Sequence, residues 1–329
     1  MKKKILAVGL VLTLVLATMA GCGKEAKTDD SKDAKDAKYK VAYIARAQSD
    51  SFAAWLANEM KAAAAEYPDM TLDIFDGQAD DEKENAAIEN AIANGYDAII
   101  VQPNNGEAQR PYVEKIVEAG IIAITTNARI DGIEGASSVD ANPYTQAEVN
   151  AKAAIDQIPQ NARVVVLKGP SGNFHADERL KAWNEVFFAA RPDVKIVGED
   201  FANWNKDEAM ALMEDWVTSQ GKIDAIISMN DNMAVGALEA VKDNAAYKNI
   251  LSYGVDGTPE ATLLIEAGTM TSTCLQSAID LAKLNMESVH KLLTGEETTI
   301  NTDIDAPLIT KDNASEYVKI YKERGLITE

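Results

Sequence analysis

Two cysteines and two histidines are all that 329 residues contain. That scarcity excludes a disulfide framework, which needs paired thiols, and any Cys/His zinc cluster, which needs several such ligands together. Basic residues are also in short supply: 32 Lys and Arg stand against 52 Asp and Glu, a formal charge of −20. Nucleic-acid affinity comes from cations that replace phosphate counterions, so this balance argues against such a partner. The acidity serves solubility and identifies no ligand. What the chain does have is a globular composition, 47% hydrophobic and 26% charged, with enough apolar surface to offset ordering entropy. Its length suits two domains of ordinary size, each with its own core.

The one long apolar run lies at the start. Lys2, Lys3 and Lys4 precede residues 5–20, which are interrupted only by Gly9, Thr13 and Thr18. A basic n-region, an apolar h-region and the small residues Ala20 and Gly21 read as a secretion signal over residues 1–21. The run is short for a spanning helix, which needs about 20 apolar residues. Thr18-Met19-Ala20-Gly21-Cys22 resembles the lipobox of bacterial lipoproteins, which implies that Cys22 is lipidated and becomes the new N-terminus. Up to residue 38 there follows a Lys- and Asp-dense stretch without a large apolar side chain. It cannot bury surface and reads as a solvated tether, so residues 22–38 form a lipidated flexible linker. The expected location is extracytoplasmic, anchored by lipid to a bacterial membrane. Cys274, the other thiol, is expected to be a small buried hydrophobe.

From residue 39 the pattern is regular. Buried-strand runs at 40–45, 71–75, 97–101 and 121–125 alternate with helical patterns, one carrying Phe52, Leu56, Met60 and Ala63, the others at 82–93 and 107–119. The alternation then restarts, with strands at 163–167, 194–198, 223–228 and 250–254 and helices at 179–190, 209–217 and 233–241. Such βα alternation implies parallel sheets covered by helices on both faces. Asp-Ala-Ile-Ile occurs at 97–100 and 224–227, in the third strand of each half, as a duplicated architecture predicts. A further apolar segment, 270–275, precedes a helix with Ala282, Met286, Val289 and Leu293 on one face. The predicted fold class is α/β: two doubly wound, Rossmann-like parallel-sheet lobes joined by several chain crossings, with a cleft between them.

Ligands of open parallel sheets bind beyond the carboxyl ends of the strands. The first-half strands are followed by Gln48-Ser49-Asp50-Ser51-Phe52, Pro103-Asn104-Asn105 and Thr126-Asn127-Ala128-Arg129. In the second half come residues 169–175, Asn203-Trp204-Asn205, Asn230-Asp231-Asn232 and Val255-Asp256-Gly257, and Gln276 follows the last crossing strand. This set is rich in amides, carboxylates and a guanidinium, and poor in nucleophile–base pairs. Planar polar groups grip neighbouring hydroxyls, and the aromatic faces of Phe52 and Trp204 suit the C–H face of a sugar ring. The chemistry is polyol recognition.

Several fragments resemble the bacterial ribose/galactose-type sugar-binding proteins, the solute receptors of ABC transporters with the type I periplasmic-binding-protein fold. They are Asp50-Ser51-Phe52, Leu167-Lys168-Gly169 leading to Arg179, Asn203-Trp204, the stretch from Asn230 to Ala237, and Gly254-Val255-Asp256-Gly257-Thr258-Pro259-Glu260. The resemblance runs from about residue 39 to 309. It implies a first lobe of 39–141 plus 277–304 and a second of 142–276 plus 305–329, joined by a multi-strand hinge. It also implies roles: Asp50, Asn127, Asn230 and Asp256 bonding hydroxyls, Arg179 donating to ring oxygen or hydroxyls, Phe52 and Trp204 stacking on opposite faces, and Gln276 contributing from the hinge. Asn173 and His175 stand where the galactose/glucose type has histidine and aspartate, Gln276 where it has asparagine, and Ala53 where the ribose type has a second phenylalanine. These departures leave the identity of the sugar open. The acidic calcium loop of some galactose-type members has no match, so no metal and no cofactor are expected. The partners implied are a monosaccharide, a transporter permease and a chemoreceptor, with the receptor itself a monomer.

Plainer roles compete. Asp50, Asn173 and Asp207 suit helix N-caps, and for Asp207 the cap is the expected role. Trp55, Trp183 and Trp216 lie within helical patterns and read as core, and His290 as helix surface. The loop 169–172 lacks the Walker lysine of a phosphate cradle. Three other functions fit the pattern less well: a receptor on the same fold for a non-sugar such as a nucleoside or a signalling furanose, a glycosidase using two spaced carboxylates such as Asp50 and Asp256, and a sugar-responsive repressor.

Overall fold

The computed structural model describes residues 37–327; the expected signal peptide, Cys22 and the tether up to residue 36 lie outside the described residues. Short apolar runs form the strands because four to seven residues buried on both faces have no polar side to turn to water. The first sheet contains β1 (Tyr39–Ala45), β2 (Met70–Asp76), β3 (Ala98–Val101), β4 (Ile122–Thr126) and β5 (Ser137–Ala141). It is completed by β11 (Asn301–Ile304), in the order β11-β5-β4-β3-β1-β2, and all its ladders are parallel. The second sheet is built from β6 (Arg163–Lys168), β7 (Lys195–Phe201), β8 (Ala225–Ser228), β9 (Leu251–Asp256), β10 (Ser272–Leu275) and β12 (Leu308–Thr310). Its order, β12-β10-β9-β8-β6-β7, repeats the first, with β12 antiparallel.

The chain passes between the sheets three times: after β5, after β10, and between β11 and β12. In the first lobe α1 (Ser51–Ala64) and α9 (Ala278–Thr294) pack on one face, where Leu56, Met60, Leu281 and Met286 are fully buried. α2 (Asp81–Ala93) and α3 (Gly106–Glu118) cover the other face through Ile88, Val113 and Ile116. The second lobe has one continuous core around Trp183, Phe187, Met213, Met233 and Tyr253. It takes in α4 (Pro143–Gln157), α5 (Phe174–Ala182), α6 (Lys206–Gln220), α7 (Asp231–Val241), α8 (Pro259–Ala267) and α10 (Ala314–Glu323). Trp55, Trp183 and Trp216 pack in these cores, and Cys274 is wholly buried, its thiol pushed up to about 12 by burial.

The differences from expectation have local causes. β5 reads Ser-Ser-Val-Asp-Ala and carries no apolar signal, yet all five residues are buried because β4 and β11 flank it. α5 begins at Phe174, not Arg179, because the Asn173 side chain accepts from Ala176 N; it then runs into a π-helical turn over Trp183–Phe188. Asp207 does not cap α6. Asn205 does, accepting from the amides of Asp207 and Glu208, which moves the helix start back to Lys206.

Candidate functional site

The carboxyl ends of both sheets face one cavity of about 350 Å³. All ten residues singled out from the sequence line it: Asp50, Phe52, Asn127, Asn173, His175, Arg179, Trp204, Asn230, Asp256 and Gln276. Arg46 and Gln102 join them and were missed. Each directly follows the end of its strand, β1 or β3, so the strand-end rule would have found both had it begun at the first residue after each strand.

On the first-lobe side, Asp50 caps α1, with Oδ1 accepting from Ala53 N at 2.9 Å, while Oδ2 pairs with Arg46 Nη2 at 2.9 Å. The cap places Phe52 in the first helical turn, edge-on to Trp55 at 6.0 Å. Gln102 has its amide orientation fixed: Oε1 accepts from the Tyr43 hydroxyl at 2.9 Å and Arg46 N at 3.2 Å. Its Nε2 is buried and finds no acceptor among the described residues, as expected of a donor aimed at something the protein does not supply. Asn127 follows β4 in the left-handed region, φ 52°, and its Oδ1 accepts from Gln276 Nε2.

On the second-lobe side, Arg179 is almost completely buried and spends its donors widely. Nη1 donates to Met229 O at 2.8 Å, Nε and Nη2 to Gln146 Oε1 at 3.2 and 2.9 Å, and Nη2 also to Gln276 Oε1 at 3.1 Å. Asp256 Oδ1 lies 3.7 Å from Nη2, beyond hydrogen-bond length. Burial pushes the Asp256 carboxyl well above the usual carboxylate range, against the pull of the Arg179 charge. Trp204 sits 5.6 Å from the guanidinium and has φ 63°, next to Asn203 at φ 50°. Gly169 makes room for it: a Cβ there would come within 2.3 Å of the indole. Asn230 caps α7 through Met233 N at 2.9 Å.

Three side-chain contacts bridge the lobes across the cavity. Gln276 reaches Asn127, Asn173 Nδ2 donates to Asn104 O at 3.1 Å, and His175 Nε2 lies 3.0 Å from Asp140 Oδ1. His175 Nδ1 faces Arg179 Nη2 at 3.3 Å. A guanidinium can only donate, so Nδ1 holds the lone pair and Nε2–H donates to Asp140. Burial likewise lowers the His175 pKa, in favour of this neutral ring. Burial alone would raise Asp140. The His175 ring beside it and the amides of Ala141 and Arg129 more than offset that and hold it low.

The cavity therefore presents many donors and acceptors, two aromatic rings, and cations that each stand beside a carboxylate. A periplasmic binding protein domain matches residues 41–297. The chain belongs to that family. The xylitol-binding protein of Mycolicibacterium smegmatis is 29% identical over 243 residues, 73% of this chain and 69% of that protein. The ribose import binding protein of Bacillus subtilis is 26% identical over 306 residues, 92% and 97% of the two chains. Among solved structures, an ABC transporter solute-binding protein from Bacillus halodurans with bound myo-inositol superposes with a TM-score of 0.82 at 25% identity, covering 88% of this chain and 100% of that one. This family member is thus an extracytoplasmic binding protein of the sugar-import type, with the two-lobed fold of those structures.

Proposed function

We propose that the chain captures a neutral monosaccharide or polyol in the interlobe cavity, closes over it by a hinge and delivers it to an ABC transporter permease, without chemistry. One observation carries this reading: twelve polar and aromatic side chains from the ends of both sheets enclose one cavity in which Arg46 and Arg179 each already stand beside a carboxylate. A ligand bearing a phosphate or carboxylate would have to compete for those cations, whereas hydroxyls add to them. The paired aromatic and polar lining suits a single hydroxylated ring or a short polyol: a hexose such as galactose or glucose, a pentose, an alditol or a cyclitol. Relatives that are a xylitol-binding protein and a ribose import binding protein support the same class.

In this reading the lobes 39–141 plus 277–304 and 142–276 plus 305–329 move as bodies about the three crossings. Each buried hydroxyl must find a partner, because an unpaired one costs on the order of 1–3 kcal/mol; that penalty discriminates epimers. Gln102 Nε2 asks for an acceptor at the Arg46 end. Asp50, Asn127, Asn173, Asn230, Asp256 and Gln276 bond hydroxyls, and Phe52 and Trp204 cover the ring faces. Cys22 carries the lipid that anchors a monomeric receptor at the membrane, and the closed form is also the surface that a chemoreceptor would recognise. Mass spectrometry of ligand carried through purification, followed by calorimetric titration with aldoses, alditols, cyclitols and nucleosides, tests the reading. A micromolar constant for one of the first three, about −8 kcal/mol, is expected; binding of nucleosides alone, or turnover of an oligosaccharide, overturns it.

A further inference from the structure

Asp231 stands next to Asn230 but does not line the cavity. It is wholly buried at the start of α7, and no cation among the described residues is ion-paired with it. Its carboxylate is turned to the backbone behind Asp256. Oδ2 accepts from Thr258 N at 2.8 Å and Oδ1 from the Thr273 hydroxyl at 2.6 Å. The Thr273 oxygen accepts in turn from Gly257 N at 3.2 Å. A Cβ on Gly254 would lie 2.3 Å from Asp231 Oδ1, so the glycine is what lets the carboxylate sit there. The turn so gripped begins at Asp256, whose φ of 125° is a conformation L side chains rarely adopt. A strained residue persists only where its surroundings over-determine it, and Asp231 is the group that does so from the N–H side.

We infer that Asp231 is a positioning residue: it holds the turn from Gly257 to Thr258 so that the Asp256 carboxylate stays aimed into the cavity, and it supports ligand affinity without touching the ligand. This rests on the reading of the cavity as a polyol site. Burial raises Asp231 to about 7, and its proximity contributes to the raised value of Asp256, so the two acids sense each other electrostatically. The clamp needs an acceptor for Thr258 N–H and a polar partner for the Thr273 hydroxyl. Asp231→Ala removes both acceptors at once, whereas an asparagine could keep the contacts, because the Thr273 hydroxyl can accept as well as donate.

The test combines two measurements on Asp231→Ala, Asp256→Ala, the double variant and Thr273→Val, the last serving if Asp231→Ala does not fold. Amide hydrogen exchange of the ligand-free proteins reads the clamp: exchange at Gly257 and Thr258 should speed up at least tenfold in Asp231→Ala, and at Gly257 in Thr273→Val. Unchanged exchange overturns the proposal. Calorimetry with D-ribose, D-galactose, D-glucose, xylitol and myo-inositol reads the consequence. Asp231→Ala should weaken binding about tenfold in the wild type and hardly at all in the Asp256→Ala background, since the two residues act as a unit. An equal loss in both backgrounds marks a merely structural role and overturns the proposal. If none of the five binds the wild type, the polyol reading falls, and the exchange measurement alone decides whether Asp231 holds the turn.

Discussion

The first lobe brings its charges to the cavity already joined, Arg46 against Asp50 at 2.9 Å on neighbouring turns of chain. The second lobe keeps Arg179 and Asp256 3.7 Å apart and braces each from behind, the arginine on Gln146, Met229 and Gln276, the aspartate through its turn. A pair within hydrogen-bond distance has answered its own need. A pair held just outside it retains capacity for a third party. The polar side chains differ in the same way: Asp50 is tied to a helix start, whereas Asp256 lies at a strand end with no helix to cap. Substitutions in the first lobe should therefore move stability and affinity together, and those at Asp256 mainly affinity.

The contrast is sharpened most by Asp256→Ala. It leaves a nearly buried guanidinium without its carboxylate and should weaken ligand binding by roughly 2–5 kcal/mol, the cost of truncating one partner of a buried charged contact; a titration showing unchanged affinity removes Asp256 from the site. Next is Gly169→Ala, whose methyl enters the space of the Trp204 indole. Overpacking of this kind costs about 1–3 kcal/mol, and affinity should fall together with a change in the Trp204 fluorescence. Asp50→Ala should lower unfolding stability by about 1 kcal/mol for the lost cap of α1 and weaken binding as well, by chemical denaturation and calorimetry; a loss of affinity with no loss of stability breaks the contrast drawn here.

The smallest effect near neutrality is expected from pH. His175 is held neutral by burial, so its folded-state pKa lies below its unfolded value. Such a group contributes stability that is present above the unfolded value of about 6.5 and lost as pH falls from there towards the folded value. His175→Gln should flatten the acid side of the stability curve below about pH 6.5. An identical slope in both proteins would mean that folding does not shift the ring's pKa.

Much of this site was legible because it obeys one topological rule. Asp50, Asn127, Asn173, Trp204, Asn230 and Asp256 all follow strands of parallel βα units, and such ends converge. Arg46 and Gln102 escaped because they directly abut their strands, ahead of the loop segments that begin at Gln48 and Pro103. Asn173 was legible both as a cap and as a cavity residue, and the geometry gives it both roles: Oδ1 accepts from Ala176 N while Nδ2 crosses to Asn104. Asp207, equally plausible as a cap from its position, lost that place to Asn205, two residues earlier, because the chain turns back there through two left-handed residues.

The alternation of short apolar runs with amphipathic stretches, and with it the class of fold, was determined by the sequence alone, because runs buried on both faces have few ways to escape water other than a parallel sheet under helices. Tertiary structure decided the rest. β5, β11 and β12 are polar or three to five residues long, too weak to declare themselves, and become strands only because a neighbouring edge offers them hydrogen bonds. The free Nε2 of Gln102, the neutral ring of His175 and the φ of Asp256 likewise depend on partners far away in the chain, such as Tyr43, Asp140 and Asp231, and no local pattern encodes what is supplied from that distance.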